Sequence, residues 1–210
     1  MYIIYMIKLD GREFIIMHTS WEELYNECIN CQKCPLCKTR TNVVFGCGNT
    51  NAKVLFIGEG PGENEDLTGT PFVGRGGKLL DKLLDIVDLS REKNIYIANM
   101  VKCRPPKNRD PQKDEMQICM EYLKKQIELL QPKIIVCLGR IAAISFISPE
   151  YKVTKQHGEF IEKDGIYMTA TFHPAALLRN PRNKPDALAD FQKLREKIKE
   201  VCPETYEDID

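Results

Sequence analysis

Four apolar, β-branched runs recur along the chain: KVLFIG at 53–58, NIYIAN at 94–99, KIIVCLG at 133–139 and IYMTATF at 166–172. Runs of this kind, with helical periodicity between them, are the pattern of βαβ units and a parallel sheet covered by helices on both faces. Leu79, Leu80, Leu83, Leu84 and Val87 share one helical face after the first run. Met116, Ile118–Met120, Leu123, Ile127 and Leu130 share another, between Pro111 and Pro132, and Ile141–Ile147 and Ala187–Val201 complete the predicted helices. The fold class is therefore α/β. A chain of 210 residues that is 43% hydrophobic closes one sizeable core, so a single domain is expected over residues 17–202. Ser20 with Glu23 three residues on reads as a helix start, which leaves residues 1–16 as an extension dispensable for the fold. The acidic tail 203–210 is expected to be disordered.

Charge and hydropathy exclude some classes. The apolar start is broken by Lys8, Asp10, Arg12 and Glu13, short of the roughly 18 apolar residues a membrane span needs. No small-residue cleavage site follows a continuous apolar core, so a cytoplasmic protein is expected rather than a secreted one. Thirty cations balance thirty anions, so binding to a polyanion must rest on local clusters: Lys102, Arg104, Lys107 and Arg109, and Arg179, Arg182 and Lys184.

Ligands of parallel sheets bind beyond the carboxyl ends of the strands. Those ends carry Glu59 after the first run, Asn99 closing the second and His173 after the fourth. A carboxylate, an amide and an imidazole thus meet at one edge, where core packing requires none of them. The first run empties into a glycine-rich loop, which in many α/β proteins cradles a phosphate. Here the loop is acidic, with Glu59, Glu63, Glu65 and Asp66, and it lacks the Lys and Ser/Thr of a phosphate-binding loop.

Nine cysteines, an odd number, argue against a disulfide framework and for a metal site. CINCQKCPLC places Cys28, Cys31, Cys34 and Cys37 at three-residue intervals, and Cys103 and Cys119 lie further on. Zinc and an iron–sulfur cluster both accept four thiolates, so the spacing leaves the metal open. Cys47, Cys137 and Cys202 stand alone and read as small buried hydrophobes. His18 and His157 have no motif around them.

Together, GEGPGENEDLTGTPFVGRGGKLL, YIANMVKCRPPKNRDP and HPAALLRNP resemble the family 4 uracil-DNA glycosylases, the iron–sulfur type, over about residues 28–200. The resemblance implies a three-layer sandwich with a four-stranded parallel sheet flanked by helices. It implies a [4Fe-4S] cluster on Cys31, Cys34, Cys103 and Cys119, structural in role, with Cys28 and Cys37 as spares that leave the N-terminal pair open to a slip of three residues. It implies that Asn99 reads uracil and that Phe72 stacks on the flipped base, with Gly58, Gly60 and Gly62 giving the base close access to the backbone. Glu59 is then the group that orients or deprotonates water and stabilises the cationic sugar, with Glu65 as a helper. His173 stabilises the leaving uracil anion. Leu177 or Leu178 wedges into the duplex and Arg179 contacts phosphate, although Ala175 and Ala176 depart from the larger residues of relatives.

The expected protein is a monomeric, monofunctional enzyme acting on uracil-containing DNA, single- or double-stranded, with no membrane partner. No lysine sits at a strand end to form a strand-cleaving Schiff base. Two rivals are an inactive iron–sulfur nucleic-acid-binding module and a zinc-containing nucleotide-binding protein. The trio Glu59, Asn99 and His173 argues against the first, and the acidic loop against the second.

Overall fold

The computed structural model describes residues 20–207 in full, and before them the backbone of two strands, β1 (Ile4–Leu9) and β2 (Arg12–Met17). These pair antiparallel as a sheet of their own. The side chains of residues 1–16, taken from the sequence as an extension, lie outside the described residues, as do His18 and the last three residues.

Helix α1 (Trp21–Ile29) begins as the sequence predicts. Ser20 Oγ accepts from the Glu23 N–H at 3.1 Å and the Glu23 carboxylate accepts from the Ser20 N–H at 2.9 Å, which satisfies two of the unpaired donors of the first turn. There follow β3 (Cys47–Gly48), β4 (Val54–Gly58), α2 (Glu63–Thr68), α3 (Arg75–Asp85), β5 (Ile95–Asn99), α4 (Lys113–Leu130) and β6 (Ile134–Leu138). The chain continues through α5 (Arg140–Phe146), α6 (Val153–Gln156), β7 (Ile161–Lys163), β8 (Ile166–Thr171), α7 (Pro174–Arg179) and α8 (Lys184–Val201).

The sheet runs in the order β3-β5-β4-β6-β8-β7. Its four inner strands are parallel, as expected, and every residue of β4, β5 and β6 is buried, which is why these runs read as continuous rather than alternating. The expected count of four strands is corrected to six by two short antiparallel edges. Strand β7 is wholly exposed and charged at Glu162 and Lys163, a composition that blunts a sheet edge against pairing with another chain. It turns into β8 through Asp164 and Gly165, both at positive φ, the two-residue turn whose twist matches a hairpin.

The predicted helical faces hold. Leu80, Leu83, Leu84 and Val87 pack under the sheet, and α4 is capped by Glu115, whose carboxylate accepts from the Gln112 N–H at 2.7 Å. The tail differs from expectation. Pro203–Tyr206 forms a 3₁₀ turn held to the domain by Asn94 Nδ2, which donates to Thr205 O at 3.1 Å, and by the Tyr206 hydroxyl, which donates to Val87 O at 3.1 Å. The connection leaving β4 runs to β5 on one side and that leaving β6 runs toward β8 on the other, so a crevice opens between the carboxyl ends of β4 and β6.

Candidate active site

Parallel register sets the first contact of the site. Gly58 closes β4 directly opposite Asn99, which closes β5. A Cβ at Gly58 would overlap Asn99 Oδ1 and come within 2.5 Å of Phe72 Cζ, so the amide oxygen and the edge of the ring converge over a bare backbone. Phe72 is buried, and its ring centroid lies 5.8 Å from that of His173. His173 in turn packs on Gly139, at the end of β6. Asn99, Phe72, His173 and the backbone at Gly58 therefore line one pocket, and Glu59 is the next residue at its rim.

Asn99 is buried, and its Oδ1 has no hydrogen-bond donor among the described residues. A buried acceptor left unpaired costs about 1–3 kcal/mol. The backbone oxygen of Asn99 is held by Lys102, whose Nζ donates to it at 3.0 Å and to Gln126 Oε1 at 2.6 Å. Lys102 is only 1% exposed, and burial pulls its pKa down to about 8. This corrects the sequence-based cluster of surface cations. Lys102 faces inward, Arg109 spends its guanidinium on Glu115 at 2.6 and 2.9 Å, and Arg104 donates to Asn108 Oδ1 at 2.8 Å and lies 3.7 Å from Glu63, which leaves Lys107 as the exposed cation of that segment.

His173 is the N-cap of α7 and its Nδ1 accepts from the Ala175 N–H at 3.2 Å. A ring whose Nδ1 accepts carries its proton on Nε2. Burial, reinforced by the nearby Arg179 and opposed by Glu65, brings its pKa down to about 4, so near neutral pH the ring is an uncharged donor. Glu59 is half-buried and its pKa is raised, mainly by burial and secondarily by Asp110, against the pull of Arg140. Asp110 and Arg140 form an ion pair at 2.6 Å.

Four residues picked from sequence take other work. Glu65 accepts from the Gly62 N–H at 3.1 Å with one oxygen and from the Val73 and Gly74 N–H groups at 2.9 and 2.8 Å with the other. Its carboxylate ties the glycine loop to the start of α3 and is occupied. Gly62 caps α2 beside the Glu65 carboxylate, and Gly60 packs against Val101. Leu177 is 1% exposed in the core, which removes it as a wedge and leaves the half-buried Leu178, followed by the exposed Arg179.

Cys31, Cys34, Cys103 and Cys119 gather in a second apolar cluster with Cys28, Leu24, Leu36 and Tyr122. The Lys102 N–H donates to Cys119 Sγ at 3.2 Å and Arg40 Nη1 to Cys103 Sγ at 3.3 Å. Burial raises the pKa of Cys34, Cys103 and Cys119, and neighbouring thiols add to the rise in each. The Tyr122 hydroxyl is buried beside the Cys31 thiol. Among the described residues no three His, Cys, Asp or Glu side chains converge closely enough to hold a single metal ion. Four thiols, with N–H donors aimed at two of them, supply the donor set that a thiolate-bound metal group takes. Cys137 and Cys202 are fully buried hydrophobes, as expected, and Cys47 is half-buried.

The family model of the uracil DNA glycosylase superfamily matches residues 45–199. The pocket, the strand ends that build it and that match define the class. A type-4 uracil-DNA glycosylase of Archaeoglobus fulgidus is 42% identical over 185 residues, 84% of this chain and 92% of its own. One of Thermotoga maritima is 46% identical over 173 residues, 80% of this chain and 90% of its own. A type-5 uracil-DNA glycosylase of Pyrobaculum aerophilum is more distant, 29% identical over 189 residues. The chain belongs to the type-4 uracil-DNA glycosylases.

Proposed function

We propose that this protein excises uracil from DNA by flipping deoxyuridine into the pocket and hydrolysing its N-glycosidic bond, leaving an abasic site for base excision repair. One observation carries the reading: the unpaired Asn99 Oδ1, buried beside the Phe72 ring. Uracil presents an N–H at N3 and would satisfy that oxygen. Cytosine presents a lone pair there and would leave both acceptors unpaired, at about 1–3 kcal/mol for each. Stacking on Phe72 adds about 1–3 kcal/mol for any base, so the ring holds and the amide selects.

Charge separates as the bond from C1′ to N1 breaks. The Nε2–H of His173 donates to the uracil oxygen that becomes negative, and a neutral imidazole does so without first giving up a proton. Glu59, ionised, faces the developing sugar cation and orients the water that attacks C1′. Its raised pKa suits it to taking that water's proton. Leu178 enters the space the base has left and Arg179 pairs with a flanking phosphate.

Cys31, Cys34, Cys103 and Cys119 would hold a [4Fe-4S] cluster, which supplies a structural cross-link between the N-terminal segment and the loop after Asn99, since hydrolysis moves no electrons. The protein acts as a monomer in the cytoplasm. In support, one chain supplies every residue assigned to the site, and an odd count of nine cysteines does not make a closed disulfide framework of the kind found outside reducing compartments. Of the described helices none is long and apolar enough to cross a membrane. Incubation with a uracil-containing oligonucleotide followed by alkali should cut it at uracil and leave a cytosine control intact. Strand cutting before alkali would refute monofunctional hydrolysis, and an uncut oligonucleotide after alkali would refute the activity.

A further inference from the structure

Phe72 sits at φ +53°, a conformation that costs a bulky L-residue roughly 1–2 kcal/mol and persists only where its surroundings enforce it. Two contacts enforce it here. The α-carbon of Gly77, in the first turn of α3, lies so close to the Phe72 carbonyl that any Cβ would overlap it. Arg91, between α3 and β5, then grips the carbonyls on that stretch. Its Nη1 donates to Pro71 O at 2.7 Å and its Nη2 to Phe72 O at 3.1 Å. Nε and Nη2 also donate to Asp81 Oδ1 at 3.1 and 2.6 Å, and Nη1 lies 3.6 Å from Cys47 Sγ. Only 12% of the Arg91 side chain is exposed, so the guanidinium is committed to these partners rather than offered to DNA.

We infer that Arg91 is a positioning residue for base recognition, a clamp from α3 to the 71–72 backbone that holds the Phe72 ring in the plane the flipped base stacks on. The inference rests on Phe72 being the stacking surface. A planar fork is required, because one group must reach two carbonyls and a carboxylate together, and a lysine ammonium cannot span them. The ring touches the base equally before and during bond cleavage, so a loosened ring weakens binding and leaves the chemical step alone.

The test is a double-mutant cycle of Arg91→Met with Phe72→Ala, measuring kcat and KM on a uracil-containing oligonucleotide together with the thermal midpoint. R91M should raise KM by about 5- to 100-fold, the share of stacking a misplaced ring forfeits, with kcat nearly unchanged. In the F72A background the same change should cost less than about twofold, because the ring it serves is gone. Arg91→Lys should recover only part of the loss, and it runs the same cycle if R91M fails to fold. Equal penalties in the two backgrounds would overturn the clamp while leaving stacking intact. An F72A variant as active as the parent would instead overturn the stacking reading itself.

Discussion

Gly58→Ala perturbs the pocket without touching a group that does chemistry. The added methyl carbon would overlap Asn99 Oδ1 and lie 2.5 Å from Phe72 Cζ, so one of the two must move. Neither moves freely. The backbone oxygen of Asn99 is held by Lys102, and Phe72 is pinned at positive φ by Gly77 and Arg91. If the methyl displaces the ring, about 1–3 kcal/mol of stacking is lost, and if it also blocks the amide, a further 1–3 kcal/mol goes. The sum, about 2–6 kcal/mol, corresponds to a fall in kcat/KM of about 30-fold to roughly 20,000-fold. Overpacking a rim position costs folding only about 1–3 kcal/mol, so the variant should remain folded. The assay is excision from a uracil-containing oligonucleotide beside thermal unfolding. A G58A protein with the activity of its parent would refute the pocket, because it would mean the base does not approach that backbone.

Glu59→Gln should slow excision by about 100- to 10,000-fold with little change in thermal midpoint, as expected when a general base is lost. The acid limb of the pH–rate profile should lie above the ordinary carboxylate range, because burial raises Glu59; Asp110→Asn should move it to lower pH and Arg140→Gln to higher pH, and a limb indifferent to both would refute the assignment. Cys31→Ser should abolish iron content and visible absorbance, while Cys28→Ser should retain both, and loss in both variants would place the ligand pair three residues earlier, on Cys28 and Cys31. Glu115 has its pKa lowered in the fold, chiefly by Arg109, so the stability it contributes is complete above its unfolded pKa and fades as pH falls through the depressed value. Glu115→Gln should therefore lower the thermal midpoint near pH 7 and match the parent in strong acid.

Much of the site was legible because strand ends are legible. A continuous apolar run that stops at a polar residue marks the carboxyl edge of a parallel strand, and that rule picked out Glu59, Asn99 and His173, of which Asn99 and His173 both lie near the Phe72 ring. The four inner strands followed from the same runs, and the start of α1 from Ser20 and Glu23. The β7 edge was overlooked although Asp164-Gly165 announces it, because its flanking strand is exposed on every residue and carries no apolar signal.

Composition and periodicity thus settled the layers, the strand ends and the candidate thiols, since each depends on neighbours in the chain. The tertiary structure alone decided which polar groups are already occupied. Glu65 and Glu59 look alike in sequence, yet three backbone N–H groups saturate one, while the other stands half-buried near Asp110 and Arg140. Leu177 and Leu178 differ by 100° around a helix, which sends the first into the core. Lys102 joins a basic run on paper and a buried carbonyl in space. The physical reason is common to all three: a hydrogen bond or a desolvated face is a property of two surfaces meeting, and the second surface comes from a distant part of the chain.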